Sequence, residues 1–112
     1  MPPKKNPLGL NPLQLKTLTL LQEIARLENA PAEEPGSFRV TQLPHAHGNH
    51  FHLGDAVVSG RDATGLSNQA VWVALERKGL VRSAEPGGVV LTADAMAYDT
   101  GMRDSILHRA DH

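Results

Sequence analysis

A chain of 112 residues and 12.1 kDa is long enough for one domain with its own hydrophobic core. The absence of cysteine excludes a disulfide framework, a zinc site built on thiolates and a thiol nucleophile. The formal net charge is −1, so the charge of the whole chain does not point to a nucleic-acid partner. No apolar run approaches the ~18–20 residues of a membrane span, and we therefore expect a soluble, cytoplasmic domain.

The N-terminal third predicts an arm followed by a helix. Residues 1–9 are typical of a flexible arm, because they contain three prolines and no hydrophobic periodicity. Asn11 and Pro12 are typical of a helix start, with Asn as the N-cap and Pro at the first helical position. The helix is predicted over 12–29, with an apolar stripe broad enough to contact more than one element. Its members are Leu13, Leu18, Leu20, Leu21, Ile24, Ala25 and Leu27.

The middle of the chain, from Phe38 to Val58, predicts a β-hairpin. Gly48-Asn49 is a glycine-first dipeptide, typical of a type II′ turn. With this turn, Val40 lies opposite Val57, and apolar pairs share one face of the hairpin. The other face then carries four histidines, with His47 opposite His50 and His45 opposite His52. A shift of one residue would scramble both faces, so the register and the hydrophobic pattern support each other.

A second helix is predicted over 68–78. Ser67 is its expected N-cap, and Gly79 is typical of the left-handed residue that ends a helix. The residues before it are less regular, and 55–63 are compatible with a strand, a turn or a short helix.

The C-terminal third predicts a second hairpin and a last helix. Strands at 80–82 and 89–91 flank a Glu-Pro-Gly-Gly turn. Thr92 is the expected cap of a helix that runs through Met102 and that could serve in dimerisation. We expect the domain to cover 10–102, with 103–112 as a C-terminal tail.

Three motifs in this order carry a resemblance to a known family. They are Thr64-Gly65-Leu66-Ser67, then Leu75-Glu76-Arg77-Lys78-Gly79-Leu80-Val81, then Leu91-Thr92. This run is similar to the second half of the winged-helix domain in bacterial transcriptional regulators of the multiple-antibiotic-resistance type. The resemblance covers the C-terminal third in motif and the whole chain only in the order of its elements.

The resemblance implies an α+β fold, namely a winged-helix-like single domain with an additional His-bearing β-hairpin. Residues 68–78 would be the recognition helix, 80–91 the wing and 12–29 the first helix. The helix 68–78 is about one turn shorter than in those regulators, and the segment where their second helix should lie contains the His-rich stretch.

By this resemblance the chain would bind double-stranded DNA. Gln and Asn side chains make paired hydrogen bonds to adenine, and basic side chains contact phosphates. Between residues 60 and 82, four basic residues against Asp62 and Glu76 leave an excess of +2, which predicts few phosphate contacts. Winged helices also serve as protein-docking modules, and a module that does not bind DNA remains the alternative. The candidate DNA-binding residues are Arg61, Ser67, Asn68, Gln69, Arg77, Lys78 and Arg82.

The four histidines within eight residues are candidate metal ligands. Imidazole suits Zn, Ni and Cu, and two or three of His45, His47, His50 and His52, completed by water or a partner chain, could hold one ion. Two alternatives stay open: a solvated polar face, or a pH sensor, because packed imidazoles repel one another when charged. No nucleophile elbow, phosphate loop or paired-carboxylate pattern is present, so we expect no enzyme.

Overall fold

The computed structural model describes residues 6–43, 48–83 and 88–109, and it has the predicted α+β architecture. The helices are α1 (Pro12–Glu28), α2 (Gln69–Arg77), α3 (Ala93–Ala97) and α4 (Arg103–Ile106). Two short 3-10 helices, Gly60–Asp62 and Thr64–Ser67, precede α2. The strands are β1 (Phe38–Val40), β2 (His50–Leu53), β3 (Ala56–Ser59), β4 (Val81–Ser83), β5 (Val89–Leu91) and β6 (His108–Arg109).

Helix α1 begins and ends where local sequence signals place it. The Asn11 side chain accepts a hydrogen bond from the Gln14 amide at 2.8 Å, and the Gln14 side chain accepts one from the Asn11 amide at 3.0 Å. This reciprocal pair is a capping box, and Pro12 occupies the first helical position, where an amide hydrogen is not needed. The helix ends at Glu28 and is capped by Asn29, whose φ of +52° lies in the left-handed region.

Helix α1 is the centre of the molecule and contacts α2, α3 and strands of both sheets. The prediction that it meets more than one element is therefore confirmed. Leu27, predicted to lie in the apolar stripe, is instead 51% exposed. The buried Gln22 side chain donates to the carbonyls of Ala95 at 2.7 Å and Tyr98 at 2.8 Å, which fixes α3 against α1. The buried apolar residues of α1 are Leu15, Leu18, Leu20, Leu21, Ile24 and Ala25.

The strands form two three-stranded antiparallel sheets. The first has the order β1-β5-β4, with both Phe38 and Val81 opposite Leu91. Its β4–β5 hairpin confirms the second hairpin that the sequence predicts, and the turn residues 84–87 lie outside the described part of the chain. The second sheet has the order β2-β3-β6.

The predicted hairpin of residues 38–58 is wrong in its pairing. Strand β1 joins the first sheet, where Val40 lies opposite Val89 rather than Val57. The hairpin that carries histidine is β2–β3, and its two-residue turn is Gly54-Asp55. Gly54 has a φ of +59°, so it supplies the glycine-first turn that the sequence analysis assigned to Gly48-Asn49.

The predicted C-terminal helix is also wrong in its extent. Helix α3 is capped by Thr92, as expected, but it ends at Ala97 rather than Met102. The helix that the sequence analysis considered for dimerisation is therefore five residues long. The described part of the predicted tail, 103–109, folds back onto the domain, with Ile106 buried and β6 paired to β3.

Where the resemblance to winged-helix regulators would place a second helix, this chain has strand β3 and the two 3-10 helices. Residues 55–63 are therefore strand and 3-10 turn, which settles the alternatives that the sequence left open.

Part of the predicted N-terminal arm is bound to the rest of the domain, because the Leu8 amide donates to the Tyr98 hydroxyl at 3.1 Å. Residues 1–5 lie outside the described ranges. In the part of the chain that the structure describes, no helix has both the length and the apolarity to cross a bilayer.

Candidate functional site

Helix α2 is positioned by contacts at its N-terminal end. Asn68, rather than the predicted Ser67, is its N-cap, and the Asn68 side chain accepts a hydrogen bond from the Ala70 amide at 3.0 Å. Ser67 belongs to the preceding 3-10 helix, where its hydroxyl donates to the Thr64 carbonyl. The Trp72 indole donates to the Leu66 carbonyl at 2.9 Å, so the helix and the turn before it are tied together.

The C-terminal end of α2 is a Schellman motif. Gly79 has a φ of +78°, its amide donates to the Glu76 carbonyl, and the Leu80 amide donates to the Leu75 carbonyl. The predicted stop at Gly79 is therefore confirmed. Since Leu75 and Leu80 are fully buried, this motif anchors α2 to the core as the chain turns into β4.

The outward face of α2 mixes polar and apolar residues. At 100° per residue, its exposed positions cover about one-third of the helix surface. Val73 lies near the middle of this arc and is 43% exposed. We call this surface the α2 face; its exposed residues are Gln69, Ala70, Val73, Glu76 and Arg77.

Tertiary contacts divide the predicted phosphate-binding residues into two groups. Arg82 forms an ion pair with Glu34 at 2.8 Å, and the Lys78 ammonium donates to the Leu8 carbonyl at 2.9 Å. Arg61 and Arg77 are exposed and form no ion pair with any other residue that the structure describes.

The surface around α2 keeps its net positive charge after the ion pairs are counted. Asp62 is neutralised by Lys16 at 2.9 Å, as Arg82 is by Glu34. The three remaining cations, at 61, 77 and 78, against Glu76 leave 3 − 1 = +2. The surface around α2 is therefore weakly basic.

A groove beside α2 was not predicted from the sequence. It has a volume of about 330 Å³, and Leu43 on its edge is 40% exposed. The groove forms because β1 pairs with β5, a long-range contact that no local sequence pattern predicts. Trp72, the residue next to Val73, is the only sequence signal for it. The lining residues are Val40, Thr41, Gln42, Leu43, Trp72, Gly88 and Val89.

The second candidate site lies on the β2–β3–β6 sheet. His50 and His52 are two residues apart on β2, so their side chains share one face of the strand. Their Nε2 atoms lie 3.1 Å apart, and the rings meet edge to face with centroids 4.8 Å apart. Their predicted strand partners are wrong, because His50 lies opposite Ser59 and His52 opposite Val57.

The remaining predicted ligands, His45 and His47, lie outside the described residues. A histidine that the sequence analysis missed, His108, lies opposite Val57 on β6 and so shares the register of His52 across β3. It was missed because 103–112 was assigned to a tail. Among the residues that the structure describes, no group of three or more His, Asp or Glu is arranged to hold a metal ion.

Comparisons with known proteins add no family assignment. No family model matches the chain, and neither the curated proteins nor the solved structures include a match to it. Function is therefore inferred from the two sites themselves.

Proposed function

We propose that this domain is a winged-helix-type transcriptional regulator that binds duplex DNA through the α2 face. The composition of that face carries the proposal. Gln69 can make two hydrogen bonds to adenine, and the apolar side chains of Ala70 and Val73 suit contact with the thymine methyl group. Arg77 stands at the other end of the same face, where a guanidinium can meet a phosphate. The face therefore suits the major groove at A·T pairs.

The architecture supports this use of α2. Helix α1, helix α2 and the β4–β5 hairpin follow one another in the order that the resemblance implies for a first helix, a recognition helix and a wing, with strands β1 to β3 and the two 3-10 helices between α1 and α2. With its side chains an α-helix is about 10–12 Å in diameter, which fits the ~12 Å width of the major groove. Asn68 is engaged as the N-cap, so Gln69 is the principal base-reading residue of the proposal.

The weak basic charge sets the strength of the expected interaction. Each phosphate contact contributes about −0.9 to the slope of log K against log salt concentration. Arg61 and Arg77 form no ion pair with a described residue and Lys78 donates to an uncharged carbonyl, so two or three phosphate contacts give a slope of roughly −2 to −3. Binding should therefore be weak and only moderately sensitive to salt.

The proposal is tested by titrating labelled A·T-rich and G·C-rich duplexes with the protein at low salt, followed by fluorescence anisotropy. Gln69→Ala should weaken binding to the A·T-rich duplex by about tenfold or more and remove the preference between the two duplexes. Arg77→Ala should weaken binding to both duplexes alike. Arg103→Ala is the matched control, because it removes an arginine that pairs with Glu23 on α1.

Two outcomes would contradict DNA binding through α2. One is an equal loss of affinity in Arg77→Ala and Arg103→Ala, which would reduce the effect to net charge. The other is the absence of binding to either duplex at low salt by the folded protein.

The second outcome would favour a protein-docking module, the other function that a specific observation supports. Val73 and Leu43 are large apolar side chains that are 43% and 40% exposed, and Leu43 lines the groove beside α2. An apolar groove with an exposed leucine on its edge is the feature of this surface that suits contact with another protein.

A further inference from the structure

We propose that His50 and His52 form a chelating pair for one divalent first-row transition-metal ion, and that Cu²⁺ binds to this pair most tightly. This site is separate from the α2 face and does not depend on DNA binding. It consists of two described residues of β2, not of the four-histidine cluster that the sequence analysis considered.

The strand fixes which way the two rings project. His50 and His52 alternate with Phe51 and Leu53, and Leu53 is only 6% exposed. The side of β2 that carries Leu53 therefore faces the core, and the histidines occupy the outer side. His52 is exposed and His50 is half-buried, so a metal ion can reach the pair from solvent.

The separation of the two nitrogens fits a shared metal ion. Metal–imidazole bonds are about 2.0–2.1 Å long, so two nitrogens 3.1 Å apart subtend an angle of roughly 95–100° at an ion between them. That angle lies between the ~90° of a square-planar site and the ~109° of a tetrahedral one. The ring nitrogens need to move only a few tenths of an ångström to adopt either geometry.

The chemistry of the ligands selects the class of metal. Neutral imidazole is a ligand for Cu, Ni and Zn, whereas Mg and Ca prefer oxygen ligands. Among the residues that the structure describes, this pair supplies two imidazole nitrogens, and no group of three or more His, Asp or Glu is arranged around one ion. Among these three ions, the general order of divalent affinities places Cu²⁺ above Ni²⁺ and Zn²⁺.

The test uses the full chain without an affinity tag, titrated with Cu²⁺, Ni²⁺ and Zn²⁺ at neutral pH by calorimetry. We expect one ion per chain, bound most tightly for Cu²⁺. His50→Ala and His52→Ala should each weaken Cu²⁺ binding by at least tenfold, because either change breaks the chelate. Electron paramagnetic resonance of the Cu²⁺ complex should show two coordinating imidazole nitrogens.

Two control variants separate this pair from the other histidines. His108→Ala and the double variant His45→Ala/His47→Ala should each change Cu²⁺ affinity by less than threefold. Circular dichroism should show the same fold for all variants, since His50 and His52 lie on the outer side of β2. A loss in the 45/47 variant as large as in His50→Ala/His52→Ala would overturn the proposal, as would unchanged binding in His50→Ala.

Discussion

At the scale of single residues, the fold depends on the absence of a side chain at Gly65. This residue lies in the second 3-10 helix and is buried against α1. A Cβ atom at position 65 would overlap the Thr17 hydroxyl oxygen and lie 3.2 Å from the Thr17 Cβ. Thr17 is fully buried and its hydroxyl donates to the Leu13 carbonyl at 2.8 Å, so moving the hydroxyl away would break that hydrogen bond. The close approach of these two elements therefore requires glycine.

We expect Gly65→Ala to lower the free energy of unfolding by about 1–3 kcal/mol, the usual cost of overpacking. In a Thr17→Ala background the same change should cost clearly less, because the clashing hydroxyl is gone. Chemical denaturation of the four proteins gives this double-mutant cycle directly. Equal costs in the two backgrounds would show that Thr17 is not the group that excludes a side chain at position 65.

The residues that cap the two termini of the helices were the most predictable feature of the chain. Asn11, Thr92 and Gly79 act through hydrogen bonds or a backbone angle confined to a few neighbouring residues, so the local sequence contains the whole signal. The cap of α2 was assigned to Ser67 rather than Asn68 because two residues that both make good caps are adjacent. There the 3-10 helix uses the first, which leaves the second to cap α2.

At the scale of elements, strand pairing was the least predictable feature. The chain contains two glycine-first dipeptides, Gly48-Asn49 and Gly54-Asp55, and hydrophobic alternation is compatible with a turn at either. What distinguishes them is the pairing of β1 with β5, some fifty residues away in sequence, which removes β1 from the first candidate hairpin. Alternation alone still places His50 and His52 on one face, because side chains two residues apart share a face in any register.

Engineered cysteines can test the observed register, since the natural chain contains none. Leu53 and Ala56 close the two-residue turn, so His52 and Val57 form the next, non-hydrogen-bonded pair, in which Cα atoms are about 4.5 Å apart. That spacing falls at the short end of the range that a disulfide spans. We therefore expect His52→Cys/Val57→Cys to form an intramolecular disulfide on mild oxidation, detected by free-thiol assay and mass spectrometry.

The matched control for this disulfide experiment is Val40→Cys/Val57→Cys, the pair that a turn at Gly48-Asn49 would bring together. In the structure Val40 belongs to the other sheet, opposite Val89, so this variant should keep both thiols free. A disulfide in the control and free thiols in the 52/57 variant would reverse the assignment of the hairpin.

At the scale of the whole molecule, tertiary ion pairs decide which charges are available at the surface. Counting residues 60–82 gave the local excess of charge around α2, but not which cations carry it. Arg82 is close to α2 in sequence, yet its guanidinium is held by Glu34, forty-eight positions away. The candidate site could therefore be located from the sequence through α2, whereas its electrostatics depend on contacts that only the folded chain defines.

This ion pair gives a prediction that joins stability to DNA binding. Glu34 and Arg82 are both more than half exposed, so their attraction is screened by water and Glu34→Gln should change the free energy of unfolding by less than about 1 kcal/mol. The same change releases the Arg82 guanidinium. If it then contacts a phosphate, duplex binding should tighten, and the slope of log K against log salt concentration should steepen by about 0.9. Glu33→Gln is the control, because Glu33 is an exposed neighbour whose replacement alters the net charge equally and leaves the Arg82 pair intact. Anisotropy titrations across a range of salt concentrations should separate the two variants, and identical slopes would remove Arg82 from the DNA-binding surface.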